Sequence, residues 1–133
     1  MKKNIRLKVT LDMTYEALES VFITALEGGS NYWYWLSDNS ISRIREKVSV
    51  EEDYCISTSI MKAVLRGAAV PIFDREDETN RLALLTEEWM ISGLEKCAKE
   101  KPNLICDMLS ENYDADTADQ VFQYIVLHEI VFG

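Results

Sequence analysis

Glu27-Gly28-Gly29-Ser30-Asn31-Tyr32-Trp33-Tyr34-Trp35 is the stretch that decides how this chain folds. Two adjacent glycines stop a helix, and two of the three tryptophans follow within six residues, interleaved with two tyrosines. Large aromatics with polar handles sit where a fold needs a corner or where a surface grips something. As a corner, they lock the crossing from the first helix back onto a sheet. As a site, they form a stacking platform for a base, a sugar or a peptide side chain, with Asn31 supplying orienting hydrogen bonds. If the segment is extended, Tyr32 and Tyr34 face one way and Trp33 and Trp35 the other. One pair then packs inward, so a platform has at most two aromatics.

Working outward, Ile5, Leu7, Val9 and Leu11 alternate with Arg6, Lys8 and Thr10, a pattern that predicts a half-buried strand. Thr14 caps a helix carrying Leu18, Val21, Phe22, Ala25 and Leu26, and Gly28 and Gly29 are expected to supply its left-handed C-cap. Ser37–Ser40 signals a loop, with Ser40 capping a short helix near 41–47. Ser57 or Ser59 opens a helix with Ile60, Val64 and Leu65 that Gly67 stops. Val70-Pro71-Ile72-Phe73 reads as a strand, and Pro71 confines it to an edge or turns the missing N–H outward. Asp74–Asn80 is a polar turn, and with Arg81–Leu85 the strand predicts a hairpin with a loop of about six residues. Thr86 caps a helix bearing Trp89, Met90, Gly93, Leu94 and Cys97, and Pro102 opens a short helix over Asn103–Leu109. Asp114–Asp119 opens a last helix, apolar almost all round from Val121 to Phe132. Such a helix is buried, or packs on another subunit, and this leaves a homodimer open. The pattern predicts one α+β domain over 1–133: a small antiparallel sheet of about three strands against four or five helices, with the C-terminal helix central.

Bulk composition narrows the function classes. A chain of 133 residues, 47% apolar and 28% charged, is an ordinary globular composition. No apolar run reaches the 18–20 or so residues of a membrane span, and Met1–Arg6 is followed by no apolar core of a secretory signal. Three cysteines without CxxC spacing argue for reduced packing thiols and a cytoplasmic setting, not a disulfide framework or structural zinc. Net charge is −9, with 10 acids against 9 bases in residues 1–74 and 13 against 5 in residues 75–133. Phosphate contacts need the opposite sign, which argues against nucleic acid.

Candidate chemistry is sparse. Asp114, Asp116 and Asp119 resemble a hard-cation cluster but lack the glycine and distal glutamate of a calcium loop. The alternative is that Asp116 caps the last helix and Asp119 lies in its first turn. On that helix Asp116, Asp119, Gln120 and Gln123 share a polar stripe, which either meets water or lines a pocket. Gln123, among apolar neighbours, needs a partner: a ligand or a buried backbone group. His128 has no second ligand at helical spacing, and its neighbour Glu129 points elsewhere, so neither a zinc site nor an acid–base dyad is indicated. No GxSxG elbow or phosphate-cradling loop is present. No catalytic residue, metal ligand or cofactor is assigned.

Two pieces, Gly28-Gly29-Ser30-Asn31-Tyr32-Trp33 and Asp114-Ala115-Asp116-Thr117-Ala118-Asp119 with Gln123, Glu129 and Gly133, resemble an uncharacterised family of short proteins from bacteriophages, prophages and gut Bacteroides. His128 departs from the small residue that the family pattern has before the glutamate. The resemblance implies a mobile-element origin and a bacterial cytoplasm, and it carries over no catalytic residue. The expected function is a non-enzymatic accessory protein that binds a small molecule or peptide at Asn31, Tyr32, Trp33 and Trp35 together with Asp116, Asp119 and Gln123. Two alternatives stay open: an acidic interaction module blocking a basic host surface, and a small metal-dependent hydrolase using Asp116 or Asp119.

Overall fold

In the computed structural model, which describes residues 2–133, Thr14 is extended and its hydroxyl accepts the Ala17 N–H at 3.2 Å. That cap starts α1 (Tyr15–Thr24), which buries Ala17, Leu18, Val21 and Phe22. The helix does not end in a left-handed glycine. It continues as a π-helical turn, Ala25–Gly29, closed by the Ser30 N–H on the Ala25 carbonyl at 2.7 Å. Gly67 alone among the glycines has a positive φ, 97°. Gly29 is needed for proximity instead: a Cβ there would stand 2.7 Å from the Ala115 carbonyl oxygen.

A second expectation fails upstream. Ile5–Leu11 forms no strand, and its four alternating aliphatics are 53–83% exposed. Period-two patterning supplies an apolar face, but a strand also needs a neighbouring edge to pair with. The third strand of the sheet is Tyr34–Trp35 (β1), which pairs antiparallel with β2 (Val70–Asp74) through Tyr34↔Asp74 and Trp35↔Phe73. β2 pairs antiparallel with β3 (Asp77–Leu85), so β2 is central and not an edge. Pro71 is tolerated because β1 stops short of it. Its carbonyl, on the same side as the missing N–H, accepts the Ser40 hydroxyl at 2.6 Å, so nothing on β3 lacks a donor. The connection is also tighter than expected. Arg75 and Glu76 make the turn, and the register then jumps from Phe73↔Arg81 to Asp74↔Asp77, looping Glu78–Asn80 out of the ladder.

α2 (Asp38–Lys47) starts earlier than the expected 41–47, because Ser37 and not Ser40 is its N-cap, and Ser40 supplies the other half of a reciprocal capping box. α3 (Ile56–Leu65) starts after Cys55 with no side-chain cap, and Ser57 and Ser59 lie buried inside it. Thr86 caps α4 (Glu87–Glu100), and Pro102 is the first residue of α5 (Pro102–Leu109). α6 (Ala115–Leu127) is capped not by Asp116 but by Asp114, whose side chain accepts the Thr117 N–H at 2.9 Å. It is central, packing on α1, the π-turn, α4, α5 and β3. Close approach to α4 depends on Gly93, where a Cβ would collide with the Tyr124 carbonyl.

α6 is shorter than its apolar run. His128 takes a left-handed conformation, φ 64°, and ends the helix, so Ile130, Val131 and Phe132 form an irregular tail. Its imidazole stacks on Trp89 at 3.7 Å, and Nε2 lies 2.8 Å from the Trp89 carbonyl. The Trp89 indole N–H in turn donates to the Val126 carbonyl at 2.7 Å. The expected α+β class holds: six α-helices and a three-stranded antiparallel sheet among the described residues. None of those helices is long and apolar enough to cross a membrane.

Candidate functional site

The π-turn delivers Ser30–Trp33 onto the first two turns of α6, and one carboxylate collects the donors. Asp119 Oδ1 accepts the Ser30 hydroxyl at 2.7 Å and the Trp33 indole N–H at 2.8 Å. Oδ2 accepts the Tyr32 hydroxyl at 2.6 Å and the Gln123 amide at 3.2 Å. Asp119 is buried, and charge-assisted bonds of this kind are what make a buried carboxylate tolerable.

Gln123, fully buried one turn along, ties down the tail. Its Oε1 accepts the Val131 and Phe132 N–H groups at 2.8 and 2.9 Å, and its Nε2 donates to the Phe132 carbonyl at 3.0 Å. The partner is thus backbone. The tail folded back in this way stacks Phe132 on Trp33, with centroids 5.4 Å apart and planes 9° from parallel. Trp33 is only 1% exposed and also packs on Phe122. No buried side-chain nitrogen or oxygen among the described residues lacks a partner.

Tyr32, Trp33, Asp119 and Gln123 therefore converge, and the structure adds Ser30. Asn31 is exposed and takes no part in these bonds. Trp35 lies elsewhere, with the Arg75 guanidinium 5.4 Å above its ring. The aromatic segment is a turn running into a two-residue strand. Trp33 alone goes fully inside, and Tyr32 is left at the surface.

Beside the cluster opens a cleft of about 400 Å³, lined by Tyr32, Asp116, Asp119, Gln120, Ile130, Phe132 and Gly133. Asp116 belongs to this rim. Ile130 and Phe132 were invisible as site residues in the sequence, because their position depends on the left-handed His128. The one hint was that histidine tolerates that conformation better than most side chains. No basic residue lines the cleft. Burial, then the bond to Asp119 and the negative charge of Asp119 and Asp116, push the Tyr32 phenol from 10.0 up to about 12, with Gln123 opposing. Among the described residues no three His, Cys, Asp or Glu side chains converge to hold a metal ion. A second depression of about 370 Å³, at Leu26, Glu27, Tyr34 and Tyr54–Ser57, has its one carboxylate, Glu27, already accepting the Ser57 hydroxyl at 3.0 Å.

No family model, curated protein or solved structure matches this chain.

Proposed function

We propose that the protein is a non-catalytic binding module of phage or prophage origin, working in the host cytoplasm, that takes a cationic peptide side chain in the Tyr32–Asp116–Gln120 cleft. One observation carries the reading. Two carboxylates, Asp116 and Asp119, line a cleft that holds no basic residue, and Ile130 and Phe132 supply an apolar wall beside them. An ammonium or guanidinium group would meet Asp116 and the phenol oxygen of Tyr32, and an adjoining aliphatic group would cover Phe132. Trp33 is excluded as a ligand contact because Phe132 and Phe122 already cover it. It acts as the floor. The mobile-element origin is supported by the resemblance of the two motifs, which are the pieces that close on one another through Asp119.

The test is ligand-induced stabilisation at low salt, with N-acetyl-Leu-Lys-amide as probe and its side-chain-acetylated form as control. The charged probe raises the melting temperature of the protein and the neutral one does not. Asp116→Lys, a change at an exposed position, removes the effect while the fold persists. Equal stabilisation by both probes, or stabilisation that survives Asp116→Lys, overturns the assignment. So does no stabilisation at all.

A further inference from the structure

The segment Lys2–Leu11 is patterned as a strand yet pairs with nothing, and the sheet has an unpaired edge. Ile5, Leu7, Val9 and Leu11 stand 83, 76, 69 and 53% exposed, and in a strand this alternation would put all four on one side. Lys2, Lys3, Arg6 and Lys8 make the segment strongly basic, and it holds no acid. With a chain total of −9, the rest of the molecule stands at −13 once those four bases are set aside.

β3 closes the sheet order, so its outer side carries no strand. The register shows which of its backbone groups are free. Pro71 faces Leu84, and the Pro71 carbonyl is turned away to Ser40. In an antiparallel ladder the two members of such a pair both point outward, so the Leu84 N–H and carbonyl project from the open edge. The Leu84 side chain is 40% exposed there. Along the hairpin end and the first part of β3 stand Asp74, Glu76, Asp77 and Glu78 against two bases, Arg75 and Arg81.

We propose that a second copy of this chain lends its Lys2–Leu11 segment as a fourth strand on the open edge of β3. Strand addition satisfies backbone groups on both sides and covers an aliphatic row that water otherwise meets. Charge selects the occupant: two such segments repel each other, whereas each is attracted to the acidic body of the partner copy. A nucleic acid would use the bases but has no use for four aliphatics at every second position.

Sedimentation velocity across a wide concentration range tests this with three proteins: the unaltered chain, the double variant Val9→Pro with Thr10→Pro, in which one proline faces β3 whatever the register, and Leu84→Pro. Proline removes a ladder donor. Val9 and Thr10 lie in the exposed segment, and the Leu84 N–H points away from β2, so both variants keep the native fold. The unaltered chain self-associates, more weakly at high salt, and its Leu84 amide exchanges more slowly as concentration rises. Both proline variants stay monomeric with an unchanged circular dichroism spectrum. An unaltered chain that stays monomeric throughout overturns the proposal, as does self-association that survives in either variant.

Discussion

Trp33 and Asp119, 86 positions apart in the chain, are joined by a 2.8 Å bond from the indole N–H to the carboxylate. The same carboxylate oxygen holds Ser30, so the end of the π-turn and the start of α6 share one acceptor. The cluster is thereby a corner first, and the cleft proposed to bind a ligand is built on its outer side.

Asp119→Ala leaves the Ser30 hydroxyl and the Trp33 indole buried without their acceptor. At roughly 1–3 kcal/mol for each of the two orphaned donors, the expected loss is about 2–6 kcal/mol. Urea denaturation measures it. Trp33→Phe keeps the stack on Phe132 and removes only the N–H, so a double-mutant cycle with Asp119→Ala should show coupling of about 1–3 kcal/mol. Strict additivity contradicts the shared-acceptor account.

The two neighbouring glycines should respond oppositely. Gly29→Ala places a methyl 2.7 Å from the backbone oxygen of Ala115, which no rotamer relieves. The π-turn or α6 must move, at a cost of about 1–3 kcal/mol. At Gly28 a Cβ meets nothing within 4 Å, and Gly28→Ala should be neutral or stabilise by up to about 1 kcal/mol. Thermal melts of the pair settle which glycine the fold requires.

Stability should fall on the alkaline side. Burial and the bond to Asp119 lift Tyr32 to about 12, burial and the bond to Glu100 lift Tyr124 to about 12, and burial lifts the Cys97 thiol to about 12. In the unfolded chain these groups release protons near 9 to 10. Above that range the unfolded state binds fewer protons than the folded one, so stability drops as pH rises. The contribution is complete below about pH 9 and disappears as pH passes through 12. Urea midpoints across this window measure the slope, which Tyr32→Phe with Tyr124→Phe should flatten.

Gln123→Ala releases the tail. The Val131 and Phe132 N–H groups lose their acceptor, Phe132 leaves the Trp33 face, and the apolar wall of the cleft goes with it. Amide exchange at Val131 and Phe132 should become fast, and stabilisation by the lysine probe should vanish. Slow exchange at both amides in this variant contradicts the assigned role.

Legibility in the sequence tracked the range of the interaction. The Thr14 and Thr86 caps, the Pro102 start and the stop at Gly67 are local, and they stand where the residues put them. Ile5–Leu11 misled because patterning reports an apolar face without saying whether a neighbouring strand exists. Gly29 misled for the opposite reason: its constraint is a contact with Ala115, far along the chain. Tyr32, Trp33, Asp119 and Gln123 were readable as candidates because polar groups among apolar neighbours demand partners. Asn31 and Trp35 were not separable from them without the turn geometry. Ile130 and Phe132 were hidden by a helix that continues on paper past His128.

The most direct test of the central claim is hydrogen exchange at the three tryptophan indoles, followed by ¹⁵N-resolved NMR. If Asp119 joins the two motifs beneath the cleft, the Trp33 indole N–H exchanges only through global unfolding and loses that protection in Asp119→Ala. Rapid exchange of the Trp33 indole in the unaltered protein, or protection that survives Asp119→Ala, would contradict the account.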